Sequence, residues 1–313
     1  MAPEKIIIDT DPGQDDAVAI LLAFASPDEI ELLGIVAVAG NVPLALTEKN
    51  ARMVCELARR TEVAVYAGCD RPMQREQFTA EHVHGKTGLD GIVLPDPTMP
   101  LQDKHGVDFI IDTLREEPSG TVTLCTLGPL TNIGTAFERA PDIIPKVKRL
   151  VMMGGAYFEV GNSTPTGEFN VYVDPEAAKI VFTSGVDLTV MPLDATHKAL
   201  TSPERNTAFR DIGTPVGLAV AGWTGFFERF DKEKYQSEGA PLHDPCVIAY
   251  VIKPELFSGR YVNVEIETDS PLTRGMTVAD WWGVTDREPN ALFVGDVNDT
   301  GYYDLLFERL ARL

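Results

Sequence analysis

The chain has 313 residues, 44% of them apolar and 24% charged, the make-up of a globular protein with a sizeable core. Lys and Arg number 27 against 47 Asp and Glu, and the resulting net charge of −20 argues against nucleic acid or an anionic membrane as partner and for a small neutral or cationic ligand. No apolar run approaches ~18 residues, and Cys55, Cys69, Cys125 and Cys246 lie far apart without a C-x-x-C pair, so neither a membrane span, a disulfide framework nor a zinc site is expected.

Met1 to Lys5 lead straight into a strand with no apolar leader, which makes the cytoplasm the expected location. Ile6, Ile7 and Ile8 are consecutive β-branched residues without polar alternation, as a strand buried on both faces of a parallel sheet requires. Pro12 and Gly13 stop it, and D-D-A-V-A-I-L-L-A-F-A from Asp15 onward is helix-forming. Asp9, Asp11, Asp15 and Asp16 therefore crowd one strand-to-helix turn at the carboxyl end of a strand, where open α/β sheets bind ligands. Helix capping accounts for one or two such acids, at about 0.5–2 kcal/mol each. Four together repel one another and raise some of their pKa values unless a cation compensates. With no Cys or His in the turn, oxygen-only ligands favour Ca²⁺ or Mg²⁺ over zinc.

Ile30 to Ala39 reads as a second buried strand that delivers Gly40-Asn41 at its end, Asn41 serving either as a site residue or as a turn residue. Thr47 to Arg60 predicts a helix and Val63 to Tyr66 a strand, and this β-α-β-α alternation predicts an open, mostly parallel α/β sheet covered by helices. Residues 70–104 break the rhythm and contain H-V-H-G-K-T-G-L-D-G, an irregular stretch of the kind that is functional or mobile. Gly85-Lys86-Thr87 imitates a phosphate loop, but Ala80 stands where the first glycine belongs and no strand precedes it. His82 and His84 lie here, and each alone also suits a surface position.

A helix near Val107 to Glu116, a strand from Thr121 to Thr126, the turn L-G-P-L-T-N and a helix after Thr131 come next. The strand Val147 to Met153 runs into Gly154-Gly155, and the long loop beyond carries Asn162, Glu168 and Asn170. Asp174-Pro175-Glu176 is a capped helix start, and Asp187 to Met191 a short strand. His197 reads as structural. Helical sequence with Gly and Trp interruptions runs from Ser202 to Lys234, and His243-Asp244-Pro245 opens the apolar helix Cys246 to Ile252. Strands at Tyr261 to Glu267 and Ala291 to Val294 precede a closing helix from about Asn298. No repeat or linker divides the chain, so one domain over residues 1–313 is expected.

Taken together, D-T-D-P-G-Q-D-D-A, Gly40-Asn41, H-G-K-T-G-L-D-G, L-G-P-L-T-N, M-M-G-G, G-N-S-T-P-T-G-E-F-N and H-D-P resemble the nucleoside hydrolase family, the inosine-uridine preferring nucleoside N-ribohydrolases, from about Ile6 to Pro245. The sequence beyond Pro245 carries no motif of that family. The resemblance implies a Rossmann-like open sheet and Ca²⁺ held by Asp11, Asp16 and Asp244 side chains and the Leu127 carbonyl. It implies that Asp15, Asn41, Asn162, Glu168, Asn170 and Asp244 hold the ribose hydroxyls, that His84 and His243 face the base, and that the protein is a homodimer or homotetramer in nucleoside salvage.

The residues suit that chemistry. Cleaving an N-glycosidic bond develops an oxocarbenium-like charge on the sugar, which a carboxylate-rich pocket stabilises. Asp11 is the expected base for a water that the cation acidifies. The leaving base needs a proton, and a positioned histidine is worth roughly 10²–10⁴-fold. Pyrimidines lack an imidazole-ring N7, so the two histidines point to uridine and cytidine, with purine nucleosides such as inosine as further substrates. Phe78, Phe169, Trp223 and Tyr235 are candidates for stacking on the base. Two rival readings are weaker. A haloacid-dehalogenase-type Mg²⁺ phosphatase would explain the strand with D-x-D and Gly295-Asp296-Val297-Asn298-Asp299, but not Pro12 or the pair Asp15-Asp16. A non-catalytic Ca²⁺-dependent nucleoside binder would show a substituted catalytic position, and none is substituted.

Overall fold

Three consecutive isoleucines at the start of the chain go to two different cores. Ile6 and Ile8 belong to one apolar cluster and Ile7 to the other, all three fully buried. Neighbours on a strand point to opposite faces, so an unbroken apolar run is what a strand with helices on both sides needs. The structure, a computed structural model, describes residues 2–235 and 239–313, and of residues 230–235 only the backbone.

That first strand, β1 (Glu4–Thr10), lies in an eight-stranded sheet with β2 (Ile30–Ala37), β3 (Val65–Ala67), β4 (Val122–Thr126), β5 (Val147–Met153), β6 (Leu188–Met191), β7 (Phe257–Val262) and β8 (Ala291–Val297). Their order is β3-β2-β1-β4-β5-β6-β8-β7, and only the β8–β7 pair is antiparallel. The expected open, mostly parallel, helix-covered sheet is the observed one. Strand order reverses between β1 and β4, which opens a crevice at their carboxyl ends.

The helices in chain order are α1 (Gln14–Phe24), α2 (Leu44–Leu57), α3 (Glu81–His84), α4 (Gly106–Glu116), α5 (Thr131–Arg139) and α6 (Phe169–Val173). They continue with α7 (Pro175–Phe182), α8 (Leu193–Thr196), α9 (Pro203–Asp211), α10 (Pro215–Tyr235), α11 (Pro245–Ile252) and α12 (Asp299–Leu310). Every residue of α1 is buried. A helix of that kind has to be enclosed, and α2, α10, α11 and α12 all pack on it. On the opposite face α4, α5 and α7 cover the sheet. Caps fall where the sequence sets them, Asp174 accepting from Ala177 N at α7 (3.0 Å) and Asn298 from Gly301 N at α12 (3.0 Å).

One stretch differs from expectation. The strand read at Tyr261 to Glu267 splits at buried Asn263, β7 staying in the main sheet while Val264–Ile266 pairs with Thr277–Ala279. The helical run from Ser202 breaks at Gly213, whose φ of 76° only glycine takes readily. All four cysteines are free thiols, and among the described residues no helix is long and apolar enough to cross a membrane.

Candidate active site

The first turn after β1 fills the crevice with acid. Asp9, Asp11, Asp15, Asp16 and, from the start of α11, Asp244 are each at most 4% exposed. Packing of α11 on α1 brings Asp244 across from the far part of the chain, and one carboxylate oxygen from each of Asp15, Asp16 and Asp244 lies within 4.8 Å of the other two. Burial, then the charges of Asp16 and Asp15, push Asp11 well above the usual carboxylate range. Burial and the same neighbours raise Asp244, and Asp15 rises to about 7 for the same reasons. Among the described residues, no Lys or Arg lines the cleft above them. A buried, oxygen-only donor set whose members repel one another fits a hard divalent cation.

Backbone and hydroxyl donors hold Asp11 and Asp16. Asn41 N donates to Asp11 Oδ2 (2.7 Å) and Asn41 Nδ2 to the Asp11 carbonyl (3.1 Å). Thr10 Oγ1 and Gly13 N donate to Asp16 at 2.5 and 2.9 Å. A Cβ at Gly40 or Gly128 would overlap the Asp11 carboxylate, so the loops after β2 and β4 close on it only as glycine. Asp9 stands apart from the cleft. It accepts from Asn132 Nδ2 (2.7 Å), and burial pushes it up to about 8. Asn132 also bonds the Ala37 carbonyl and Cys69 N, tying together the ends of β1, β2 and β3.

Asp15, Asn41, Asn162, Glu168, Asn170, Leu127 and Asp244 line one cleft, with Asp11 and Asp16 behind them, outside its lining. Glu168 is the N-cap of α6, accepting from Asn170 N (3.0 Å) and Gly155 N (2.8 Å), and burial raises it to about 7. Asn170 Nδ2 donates to the Leu127 carbonyl (2.7 Å). The tight carboxylate trio is thus Asp15, Asp16 and Asp244, and Asp11 adjoins it.

The other end of the cleft is aromatic. His84 and His243 are buried, and Phe227 lies between them, its ring 5.4 Å from His84 and 6.4 Å from His243. His84 Nδ1 meets Gln14 Oε1 and His243 Nδ1 meets Thr196 Oγ1, both at 2.7 Å. Burial holds both imidazoles below their ordinary value, His84 at about 3.

Acids at one end and imidazoles at the other suit hydrolysis of a sugar–base bond, and over residues 6–304 the sequence matches the family model described as inosine-uridine preferring nucleoside hydrolase. The chain belongs to this family. As a nucleoside hydrolase it is 51% identical over 309 residues to an uncharacterised protein of Schizosaccharomyces pombe, covering 99% of each chain. It is 45% identical over 306 residues to the pyrimidine-specific ribonucleoside hydrolase RihA of Escherichia coli K12, covering 97% of each. Among solved structures, the purine-preferring ribonucleoside hydrolase from Gardnerella vaginalis superimposes with a TM-score of 0.92 at 31% identity, covering 98% of each chain. The protein is an enzyme that hydrolyses ribonucleosides.

Several wall residues of this nucleoside hydrolase depart from the sequence reading. His197, read as structural, lines the cleft, with its ring 5.6 Å from His243 and Nδ1 3.5 Å from Glu159 Oε2. Of the stacking candidates, Phe169 lines the cleft, Trp223 is fully buried in the core, and Phe78 packs edge-on to Tyr172 beside a separate hollow. The side chain of Tyr235 lies outside the described residues. Phe227 was not anticipated, because an apolar residue in a long helical pattern carries no signal that separates wall from core. Asp296 and Asp299 lie outside the cleft lining, Asp296 pairing with Lys198 (2.9 Å) and Asp299 with Arg205 (2.7 Å), which opposes the phosphatase reading.

Proposed function

We propose that this nucleoside hydrolase is Ca²⁺-dependent, cleaves uridine and cytidine to ribose and free base with inosine as a further substrate, and serves nucleoside salvage. The observation that carries the reading is the gathering of four buried aspartates, Asp11, Asp15, Asp16 and Asp244, and two buried histidines, His84 and His243, at one cleft. Asp11, Asp16, Asp244 and the Leu127 carbonyl would hold the ion, with Asp15 alongside. When bound, the ion supplies charge neutralisation and Lewis acidity toward oxygen.

The protein's own groups do the rest. Asp15, Asn41, Asn162, Glu168, Asn170 and Asp244 orient the ribose hydroxyls, and the surrounding carboxylates favour the positive charge that grows at C1′ as the bond to nitrogen breaks. Water adds to C1′ while Asp11 takes its proton. The departing base, left as an anion, is protonated from the side of His84 and His243. Likeness to a relative named pyrimidine-specific supports the base preference. A homodimer or homotetramer is the proposed assembly, and the cytoplasm is the proposed location of a one-domain enzyme.

Ribose release from uridine, cytidine and inosine tests this directly. After exhaustive chelation turnover should vanish and return with Ca²⁺. Full activity in the chelated protein would overturn the ion's part, and release from inosine alone would overturn the base preference.

A further inference from the structure

Gln14 stands between Gly13 and the pair Asp15-Asp16, and no role described so far needs it. Its carboxamide is 1% exposed and makes three contacts, all to the segment around α3. Nε2 donates to the carbonyl oxygens of His84 (2.9 Å) and Asp90 (3.0 Å), and Oε1 lies 2.7 Å from His84 Nδ1. Turned over, the amide would set its oxygen against two carbonyl oxygens, so its neighbours fix which end faces the ring. A carboxamide oxygen only accepts. The proton of the neutral imidazole therefore sits on Nδ1, and the lone pair stays on Nε2.

Nε2 has no protein partner among the described residues, and His84 is part of the cleft lining. His243 differs, because its Nδ1 meets a hydroxyl that either donates or accepts and so leaves the tautomer open. A Cβ on Gly13 would overlap His84 Nδ1, so the turn that carries the acids also seats the ring.

We propose that Gln14 is a positioning residue that locks His84 as the Nδ1–H tautomer, which makes His84 Nε2 a hydrogen-bond acceptor for a donor on the bound nucleoside. The second half rests on the cleft's being the nucleoside site. A ring that burial keeps neutral remains an acceptor, in line with the lowered pKa of His84. His84 then recognises the substrate, and proton delivery to the leaving base falls to His243. Uridine offers two donors outside the vicinal diol, the base N3–H and the 5′-hydroxyl.

Long-range ¹H–¹⁵N spectra of the protein labelled at histidine nitrogen read the tautomer, with His84→Gln assigning the signals. The expected pattern is Nδ1–H in the unmodified protein and a shift toward Nε2–H in Gln14→Met, which keeps the length and loses the acceptor. In parallel, kcat/KM for uridine is compared with 3-methyluridine, which lacks the base N–H, and with 5′-deoxyuridine. One of the two ratios should be roughly tenfold or more and shrink at least several-fold in Gln14→Met. The ratio that responds identifies the donor.

An Nε2–H pattern in the unmodified protein overturns the lock, as does an unchanged tautomer in folded Gln14→Met. A switched tautomer with both ratios unmoved overturns the acceptor role. If Gln14→Met does not fold, the spectrum of the unmodified protein still decides the lock. Should the spectrum show Nδ1–H while no nucleoside is hydrolysed, the lock stands and the substrate reading falls.

Discussion

Asp11, Asp15, Asp16 and Asp244 hang from the end of β1 and the first turns of α1 and α11, whereas His84, His197, His243 and Phe227 come from a four-residue helix, two helix termini and the long α10. The acid end is fixed by strand register and by backbone N–H groups. At the aromatic end, the stretches after His197 and before His243 pair through their backbones, Leu242 N donating to the Ala199 carbonyl (3.0 Å), whereas His84 and Phe227 join through ring contacts. On the proposed reading, chemistry common to every nucleoside stands at the end of the sheet, and discrimination between bases on elements whose residues can change without disturbing it.

Substitutions at the two ends should fail in different ways. Asp11→Asn, which preserves shape, should lower ribose release roughly 10³–10⁴-fold on every nucleoside and on p-nitrophenyl riboside, whose leaving group needs no acid. A loss confined to uridine would break the contrast. His243→Ala should cost about 10²–10³-fold on uridine but less than about tenfold on the nitrophenyl riboside, since only the former needs the proton. Equal losses on both would assign His243 to the acid end. Phe227→Leu, conserving most of the volume between the two imidazoles, should lower kcat/KM about tenfold or less, chiefly through KM.

The smallest effect sharpens the picture of Glu168. Its folded-state pKa, raised to about 7 by burial, lies above that of the unfolded chain. The stability it contributes is complete below the unfolded value near ~4.3 and is lost as pH rises through about 7. In chelated protein, Glu168→Gln should therefore lose less Tm than the unmodified chain between pH ~5.5 and ~8, by a few degrees. Parallel melting curves for the two would show that this carboxyl is already ionised in the folded protein at pH ~5.5 and is not raised by burial.

Local physics made much of this readable in the sequence. Ile6 to Ile8 specify a doubly covered strand by themselves, and the caps Asp174 and Asn298 mark helices because a carboxylate or amide must meet the free N–H groups of a first turn. The acid turn was legible because four like charges in one loop need an explanation. What stayed hidden depends on which segments meet. The four residues of α3 are too few to give a periodic signal, Glu168 looks like a loop acid until its capping bonds are seen, and nothing near His197 or Phe227 announces the cleft they face. Gln14 reads as an ordinary first-turn residue. Its partners, the carbonyls of His84 and Asp90, come from a segment that propensity leaves blank.

Asp244 adds a consequence for biosynthesis. The acid turn leaves the ribosome early, but the last aspartate, and α11 against which the wholly enclosed α1 rests, emerge late in translation. A nascent or truncated polypeptide lacking that region holds a cluster of mutually repelling acids and leaves apolar surface of α1 uncovered beside α2 and α10, the kind of species that proteases and chaperones engage. Arrival of α11 covers that face of α1 and delivers Asp244 to the acid turn in one step, so core closure and completion of the acid set are coupled.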